Sequence, residues 1–327
     1  MTDITTARPL LTPVELGGFR LPNRVVMAPV TRARAGDGLV PTELHAVYYG
    51  QRASAGLIVT EGTWVGERAV GFPNVPGVYS DEQVAAWRRV TDVVHALGGR
   101  IVVQLWFSGS AAPHEMSTAD IRDVVADFAT AAAQARRAGF DGVEVHAVGA
   151  FLLPRFLNAR TNQRTDGYRG GRLLFEIVDE VGAVWGDGRV GVRISPYWDA
   201  DEGFSADEST VVAYQEYVRR LGDRSLAYLH LRGPELTGPA PDFADFARYR
   251  EVFDGPMIAN LGFDRESGDA IVAAGVVDAV SYAKHYIANP DLVARFALGR
   301  DLSPGDPETY YQGGPEGYVD YPESRWS

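Results

Sequence analysis

Short apolar runs rich in valine and isoleucine alternate with longer stretches of helical period along almost the whole chain. Eight runs have the length of strands: residues 24–29, 57–62, 101–106, 142–147, 190–196, 228–233, 256–262 and 279–284. The stretches that predict helices are residues 42–54, 81–97, 118–138, 173–185, 207–221, 243–252, 265–274 and 290–298. Glycines such as Gly139 and Gly275 follow several of these stretches and suit the left-handed residue that ends a helix.

A strand followed by a helix, repeated eight times, predicts parallel strands joined by helical crossovers. Eight such units in roughly 250 residues favour a closed sheet over an open, doubly wound one. We therefore expect an α/β protein of the (β/α)8 TIM barrel class. Residues 1–327 are predicted to form a single domain, in which residues 299–327 are a C-terminal tail that wraps the barrel.

Composition and charge narrow the possible partners. The 327 residues include 31 Lys and Arg against 43 Asp and Glu, a formal net charge of −12. Such a protein repels phosphate backbones and anionic lipid surfaces, so neither nucleic acid nor a membrane is an expected partner. No run approaches the roughly 18 apolar residues of a membrane span. The absence of cysteine excludes disulfides, thiolate metal sites and a cysteine nucleophile, and makes a cytoplasmic location the default expectation.

Polar side chains stand at the C-terminal ends of the predicted strands, where barrels of this class carry their chemistry. Period-two alternation turns four of them inward: Gln104, Glu144, His146 and Arg193. Burying such groups requires partners, so they predict either a polar ligand or a mutual network. The alternative is a structural ion pair between Glu144 and Arg193.

Gly262 and Lys284 follow the seventh and eighth strands, where such barrels commonly bind a phosphate group. The alternative is a turn glycine beside a solvated lysine. No metal site is predicted, because a solvated acidic loop explains Asp199, Asp201 and Glu202 better than a divalent-metal site does. Three further histidines lack ligand spacing and are expected at the surface: His45, His95 and His114.

Several motifs in a fixed order resemble the Old Yellow Enzyme family of FMN-dependent ene-reductases. They are LPNRVVMAPVTRARA (21–35), TEG (60–62), QLW (104–106), AGFDGVEVHA (138–147), RTD (164–166), VGVRISP (190–196), IANPDLV (287–293) and GYVDYP (317–322). The resemblance covers most of the chain. It implies FMN as cofactor, NADPH or NADH as reductant, and an activated C=C of an unsaturated carbonyl compound as the bond that is reduced.

The resemblance also implies which residues hold the cofactor. The implied set is Ala28, Pro29, Val30, Thr31, Gly62, Gln104, Arg193, Gly262, Ala283 and Lys284. Thr31 would bond near the C4 carbonyl of the flavin, whereas Gln104 and Arg193 would bond its pyrimidine side. Lys284 stands where the family usually has arginine and Ala283 where it has glycine, so a bidentate phosphate contact is lost.

The implied substrate pocket consists of Trp106, Phe107, His146, Gly149 and Phe151. His146 matches the first carbonyl donor of the family, but Gly149 replaces the second donor. Loss of one such donor weakens carbonyl polarisation by about 3 kcal/mol. Phe151 replaces the tyrosine that protonates the substrate and has no exchangeable proton.

The missing groups leave the proton source and the exact chemistry open. Tyr311 is a candidate replacement donor and completes the predicted catalytic set with His146 and Thr31. We therefore expect altered chemistry in specialised metabolism. The alternatives are protonation of the substrate by solvent, isomerisation of the alkene, and reaction in the oxidising direction. The capping hairpin that follows the third strand in the family is predicted to be shortened or absent, because helix three begins within about ten residues of Trp106.

Two other hypotheses compete with a flavin-dependent oxidoreductase. One is a flavin-free barrel enzyme for cyclisation or lyase chemistry, with Lys284 as a Schiff-base amine and His146 as general base. The other is a non-catalytic homologue that acts as a partner subunit. The expected partner in the leading hypothesis is a small-molecule substrate, and a homo- or hetero-oligomer is left open.

Overall fold

Eight parallel strands close into a barrel, and helices connect each strand to the next. The computed structural model describes residues 8–109, 111–197, 206–234 and 242–323. The barrel strands are β3 (Val25–Met27), β4 (Leu57–Trp64), β5 (Ile101–Trp106), β6 (Gly142–Ala147), β7 (Val190–Ile194), β8 (Tyr228–Arg232), β9 (Met257–Asn260) and β10 (Ala279–Tyr282). Neighbours in this order pair in parallel, and β10 pairs with β3 to close the ring. The predicted (β/α)8 TIM barrel is confirmed.

The described helices are α1 (Glu43–Gln51), α2 (Asp81–Ala96), α3 (Thr118–Arg137), α4 (Leu152–Leu157), α5 (Arg172–Trp185), α6 (Glu208–Gly222), α7 (Ala244–Arg250), α8 (Arg265–Ala273), α9 (Lys284–Ala288) and α10 (Leu292–Leu298). Local sequence explains their ends. Ser80 accepts a hydrogen bond from the Gln83 amide and starts α2 with a capping box. Ser117 and Asp120 start α3 in the same way.

Four strands and helices of the structure were not predicted. Two short strands, β1 (Val14–Leu16) and β2 (Phe19–Leu21), form an antiparallel hairpin before the barrel. The buried side chains of this hairpin pack with the bottom layer of the barrel, which includes Val26, Val59 and Ile258. The other two elements, α4 and α9, are too short to display a helical period. Because α9 begins at Lys284, the last strand ends at Tyr282 rather than at the predicted residue 284.

The loop between β5 and α3 is short and is folded onto α4. Residues 107–109 and 111–117, which the structure describes, contain only the 3-10 turn Pro113–Glu115 and no hairpin. The Leu152 amide donates to the Ser108 carbonyl at 3.0 Å, and Arg164 Nη1 donates to the Pro113 carbonyl at 2.6 Å. The prediction of a shortened or absent capping hairpin is confirmed for this described part of the loop.

The C-terminal segment from residue 299 to 323 packs against α1 and the loop after β3. Arg32 Nη2 donates to the Gly317 carbonyl at 2.8 Å, and Gln51 Nε2 donates to the Val319 carbonyl at 2.9 Å. Tyr318 is fully buried and stacks on Tyr48, with ring centroids 4.1 Å apart. The single domain of residues 1–327 and the wrapping of the barrel by residues 299–327 both stay predictions.

Candidate active site at the barrel mouth

A cavity of about 880 Å³ opens at the C-terminal ends of the barrel strands. Most of the residues predicted from the sequence line it: Pro29, Val30, Thr31, Gly62, Gln104, Trp106, His146, Gly149, Phe151, Arg193, Ala283, Lys284 and Tyr311. Ala28 and Phe107 are buried at 1% and 7% exposure and lie outside this wall. The strand register brings the predicted set together, because β3 to β10 all end at the same mouth.

A second cavity of about 360 Å³ adjoins the first between the ends of β9 and β10. Gly262 lies here, and Leu261, Ala283 and Lys284 line both cavities. Leu261 and Gly262 have φ angles of 93° and 77°, a left-handed turn that is rare for a leucine. Asp264 also lines this cavity, but its carboxylate caps α8 by accepting from the Ser267 amide at 2.8 Å.

A buried carboxylate anchors the floor of the larger cavity. Gln104 Nε2 donates to Glu144 Oε1 at 2.7 Å, and His230 Nδ1 lies 2.8 Å from Glu144 Oε2. Burial disfavours the charged form, but His230, Arg193 and the hydrogen bond from Gln104 together hold the pKa of Glu144 below its usual value. The carboxylate bonds to Gln104 and His230, so the alternative of a Glu144–Arg193 ion pair is wrong.

Arg193 instead forms a hydrogen bond with the side-chain amide of Asn260, at the end of β9. Its Nη2 donates to Asn260 Oδ1 at 2.7 Å, and its buried Nε has no hydrogen-bond partner among the described residues. Burial lowers the pKa of this guanidinium to about 10, so it remains cationic at neutral pH. An unsatisfied donor beside a large cavity is costly unless a ligand accepts from it.

His146 faces the cavity from the end of β6. Burial, followed by the charge of Arg193, lowers the pKa of its imidazole to about 3, so the ring is neutral at physiological pH. Its Nδ1 has no partner within the described part of the chain. The imidazole lies among aromatic rings, with the centroid of Trp106 at 5.5 Å and that of Phe151 at 5.6 Å.

Trp106 forms the aromatic wall of the cavity. It stacks on Trp64 at 4.3 Å and meets the edge of Phe151 at 4.7 Å. A Cβ at Gly62 would lie 2.5 Å from the Trp106 ring, so glycine is required for this packing. The half-exposed Phe72 extends the stack outward, with its centroid 5.6 Å from that of Trp106. Sequence reasoning did not select Phe72, which lies in the long loop before α2.

The loop that carries Thr31 is held by buried groups that sequence reasoning missed. Glu61 Oε2 accepts from the backbone amides of Arg32 at 3.0 Å and Ala33 at 3.2 Å. The fully buried Arg32 donates to the Tyr310 carbonyl at 2.9 Å, which ties this loop to the segment that carries Tyr311. His45 is fully buried beside Glu61, so its predicted surface position is wrong.

Several remaining residues complete the cavity wall. The members not selected from the sequence are Val148, Tyr197, Arg232, Pro234, Asn260, Leu261, Ile287 and Tyr310. The hydroxyl of Tyr197 is engaged, because it donates to Asp245 Oδ1 at 2.8 Å. No cluster of three or more potential metal ligands occurs in the described residues. Asp199, Asp201 and Glu202 lie outside the described residues.

Comparison with known proteins identifies the family. The model of the NADH:flavin oxidoreductase / NADH oxidase family matches residues 9–115 and 110–303. The putative 12-oxophytodienoate reductase 12 of Oryza sativa subsp. japonica is 37% identical over 362 aligned residues, which cover 96% of this chain and 88% of the relative. The chain belongs to this family. The two matches meet in the short loop after β5, where the capping hairpin is absent among the described residues.

Further relatives support the same family. A probable flavin mononucleotide-dependent alkene reductase of Leishmania infantum is 35% identical over 96% of this chain and 97% of its own length. The structure of morphinone reductase in complex with tetrahydroNAD has a TM-score of 0.90 at 38% identity and covers 97% of this chain and 98% of that one. An old yellow enzyme homologue from Zymomonas mobilis has a TM-score of 0.89 at 34% identity, over 96% and 99%. The resemblance to the Old Yellow Enzyme family is confirmed.

As a member of the NADH:flavin oxidoreductase family, the chain is an FMN-dependent ene-reductase of the Old Yellow Enzyme type, with a nicotinamide nucleotide as reductant and a small molecule as substrate. Family membership favours this activity over the flavin-free and non-catalytic hypotheses. Among the described residues, none of the helices has both the length and the apolar character needed to cross a bilayer.

Proposed function

We propose that Gln104 and Arg193 bind the pyrimidine edge of FMN in the larger cavity. This assignment is supported by one free hydrogen-bond acceptor, on Gln104, and one free donor, on Arg193, at the cavity among the residues that the structure describes. The Gln104 amide group donates to Glu144, which leaves its Oε1 without a partner in the described structure and available to the cavity. Arg193 Nε is an unsatisfied donor. This pattern complements a ring edge on which an N–H stands beside a C=O.

The smaller cavity is assigned to the phosphate group. Lys284 supplies a cation, and the left-handed turn at Leu261 and Gly262 is of the kind that exposes backbone amides to an anion. Thr31, Pro29 and Val30 would line the flavin ring from β3. Bound FMN supplies hydride transfer between a reduced nicotinamide and an activated alkene.

His146 is proposed to hold the substrate carbonyl as a neutral donor. A neutral imidazole donates one hydrogen bond without a change of charge, and the low pKa of His146 keeps it in this form. No second side-chain donor stands at position 149, and Gly149 has a φ of 88°. A residue with a side chain is strained at this φ, so the local backbone itself disfavours a second donor there.

Tyr311 is proposed to donate the proton that Phe151 lacks. Its side chain is 64% exposed and lines the cavity, so its hydroxyl can exchange protons with solvent. Direct protonation by water is the competing route. The Tyr311→Phe variant distinguishes the two routes. If Tyr311 donates the proton, the variant should slow oxidation of the reduced protein by the alkene but leave reduction by the nicotinamide unchanged.

The site further supports a bulky unsaturated carbonyl substrate. The short loop after β5 is bound to α4, so the described part of this loop does not roof the aromatic wall formed by Trp106 and Phe151. We infer that large planar enones enter where a capped relative would exclude them. Reduction, rather than isomerisation or oxidation, is the direction we propose.

Anaerobic spectroscopy tests the proposed function. Purified protein should carry the visible absorption of oxidised flavin and lose it on addition of NADH or NADPH. Cyclic enones of increasing size should then restore the absorption, with the larger enones at least as effective as the smallest. A colourless protein that takes up no added FMN would refute the assignment.

A further inference from the structure

A chain of hydrogen bonds runs beneath the cavity and links the two groups assigned to the pyrimidine edge. Its members, in order, are Gln104, Glu144, His230, Ser281, Asn260 and Arg193. Each side chain in this chain is buried, with exposures between 0% and 9%. The chain crosses the barrel from β5 to β7, so the two cofactor contacts belong to one network rather than to separate strands.

Glu144 decides which end of the Gln104 amide faces the cavity. An ionised carboxylate only accepts hydrogen bonds, so the NH2 end of the amide must turn toward Glu144 and the carbonyl end toward the cavity. No other hydrogen bond within the described residues holds this side chain. Without the carboxylate, the amide could rotate by 180° and present a donor instead of an acceptor.

The remainder of the chain keeps the carboxylate in place. His230 Nδ1 occupies the second carboxylate oxygen at 2.8 Å, and His230 Nε2 lies 2.8 Å from Ser281 Oγ. Asn260 Nδ2 donates to the Ser281 carbonyl at 3.2 Å, which orients its Oδ1 toward Arg193. Rotation of Glu144 would break two hydrogen bonds inside the barrel, where water cannot replace them.

We propose that Glu144 is a positioning residue that fixes Gln104 as a hydrogen-bond acceptor and so makes the site selective for a flavin with an N–H at ring position 3. The inference rests on the proposed function, because it assumes that the pyrimidine edge lies at Gln104 and Arg193. It assigns Glu144 no contact with the cofactor. Its effect is on which ring edge the pocket accepts.

The test compares FMN with FMN methylated at N3. The methylated flavin has no N3–H to donate a hydrogen bond to Gln104 Oε1. Apoprotein is titrated with each flavin, and the ratio of the two dissociation constants is measured from flavin fluorescence. The wild type should prefer FMN by about tenfold or more, the value of one well-aligned hydrogen bond with its steric cost. Gln104→Met, which has no acceptor, should lower the ratio to about threefold or less.

Glu144→Gln should lower the ratio to the level of Gln104→Met, because the Gln104 amide can then rotate. General damage to the barrel would weaken both flavins equally and leave the ratio unchanged. Ser281→Ala is the matched control: it removes the contact between His230 Nε2 and Ser281 Oγ, leaves both Glu144 oxygens bound to Gln104 and His230, and should retain the wild-type ratio. If Glu144→Gln does not fold, a Glu144→Met and His230→Met double variant replaces the buried pair with apolar groups, which proteins often tolerate.

The outcomes distinguish a failure of the proposed function from a failure of the role given to Glu144. Wild-type protein that binds neither flavin contradicts the proposed function itself. Wild-type protein that binds both flavins equally leaves the flavin enzyme standing but overturns the role of Glu144. A folded Glu144→Gln protein, or a folded double variant, that retains the wild-type ratio overturns it as well.

Discussion

Replacement of Arg32 by methionine should release the C-terminal segment from the active site. The Arg32 guanidinium is fully buried and donates to the Tyr310 carbonyl at 2.9 Å, the Gly317 carbonyl at 2.8 Å and the Tyr48 hydroxyl at 3.0 Å. Methionine retains much of the apolar volume but donates no hydrogen bond. The variant therefore isolates the polar contribution of this side chain.

The magnitude follows from the two acceptors that lose their donor, the Gly317 carbonyl and the Tyr48 hydroxyl, because the Tyr310 carbonyl still accepts from Arg34 Nη1 at 3.4 Å. Each buried acceptor left without a partner costs about 1 to 1.5 kcal/mol, so the total is about 2 to 3 kcal/mol. Loss of the cation also removes its contacts with the Tyr48 and Tyr318 rings, whose centroids each lie 5.1 Å away. A loss of this size is a large fraction of the stability of an ordinary domain.

Urea unfolding measures the global free energy, and amide hydrogen exchange of residues 307–319 measures local release. We expect a lower unfolding midpoint and faster exchange in this segment, together with weaker FMN retention, because the same arginine is adjacent to Thr31. Arg20→Met is the control, since the Arg20 side chain is 86% exposed and should leave all three measurements unchanged. A change below about 1 kcal/mol with unaltered exchange would refute the assigned role of Arg32.

Three further predictions concern the site. Phe151→Tyr should speed oxidation of the reduced protein by cyclohexenone at least about tenfold in anaerobic stopped flow, because it restores a proton donor; an unchanged rate would mean that proton transfer is not limiting. Lys284→Arg should tighten FMN binding about threefold or more through a bidentate phosphate contact but leave riboflavin binding unchanged, and an equal gain for both would place Lys284 away from the phosphate. Stability should fall as the pH decreases from about 6.5, because burial lowers the folded pKa of His146 to about 3 and the unfolded chain takes up the proton first. His146→Gln should flatten this decline in urea midpoints measured from pH 8 to pH 4, and an unchanged slope would contradict the low pKa.

The barrel could be predicted from the sequence because each of its units is local. The bounds of β5 and β6 agree with the predicted runs to the residue, since alternating strands and capped helices are encoded by neighbouring positions. The short elements α4 and α9 could not be predicted in this way. The hairpin of β1 and β2 was missed because three-residue strands carry almost no periodic signal.

The family motifs in the sequence predicted most of the residues that line the cavity, but not the hydrogen bonds that connect them. The partners of Glu144 were left open between a mutual network and an ion pair with Arg193, because inward-facing side chains do not reveal which strand they meet. His45 was expected at the surface, yet Tyr318, which is remote in sequence, covers it with ring centroids 6.0 Å apart. Such long-range burial depends on the path of the C-terminal segment, for which a single sequence offers no local signal.

The hydrogen bonds that hold the loop after β5 would allow a capping segment to be inserted above the active site. The Ser108 and Pro113 carbonyls are bound by Leu152 and Arg164, whereas the Ala111 side chain between these two anchors is exposed. A segment inserted after Ala111 would leave both anchors intact, because loop insertions at exposed positions add little closure entropy. Substrate range could then be narrowed or widened by exchanging one cassette, without disturbing the barrel beneath it.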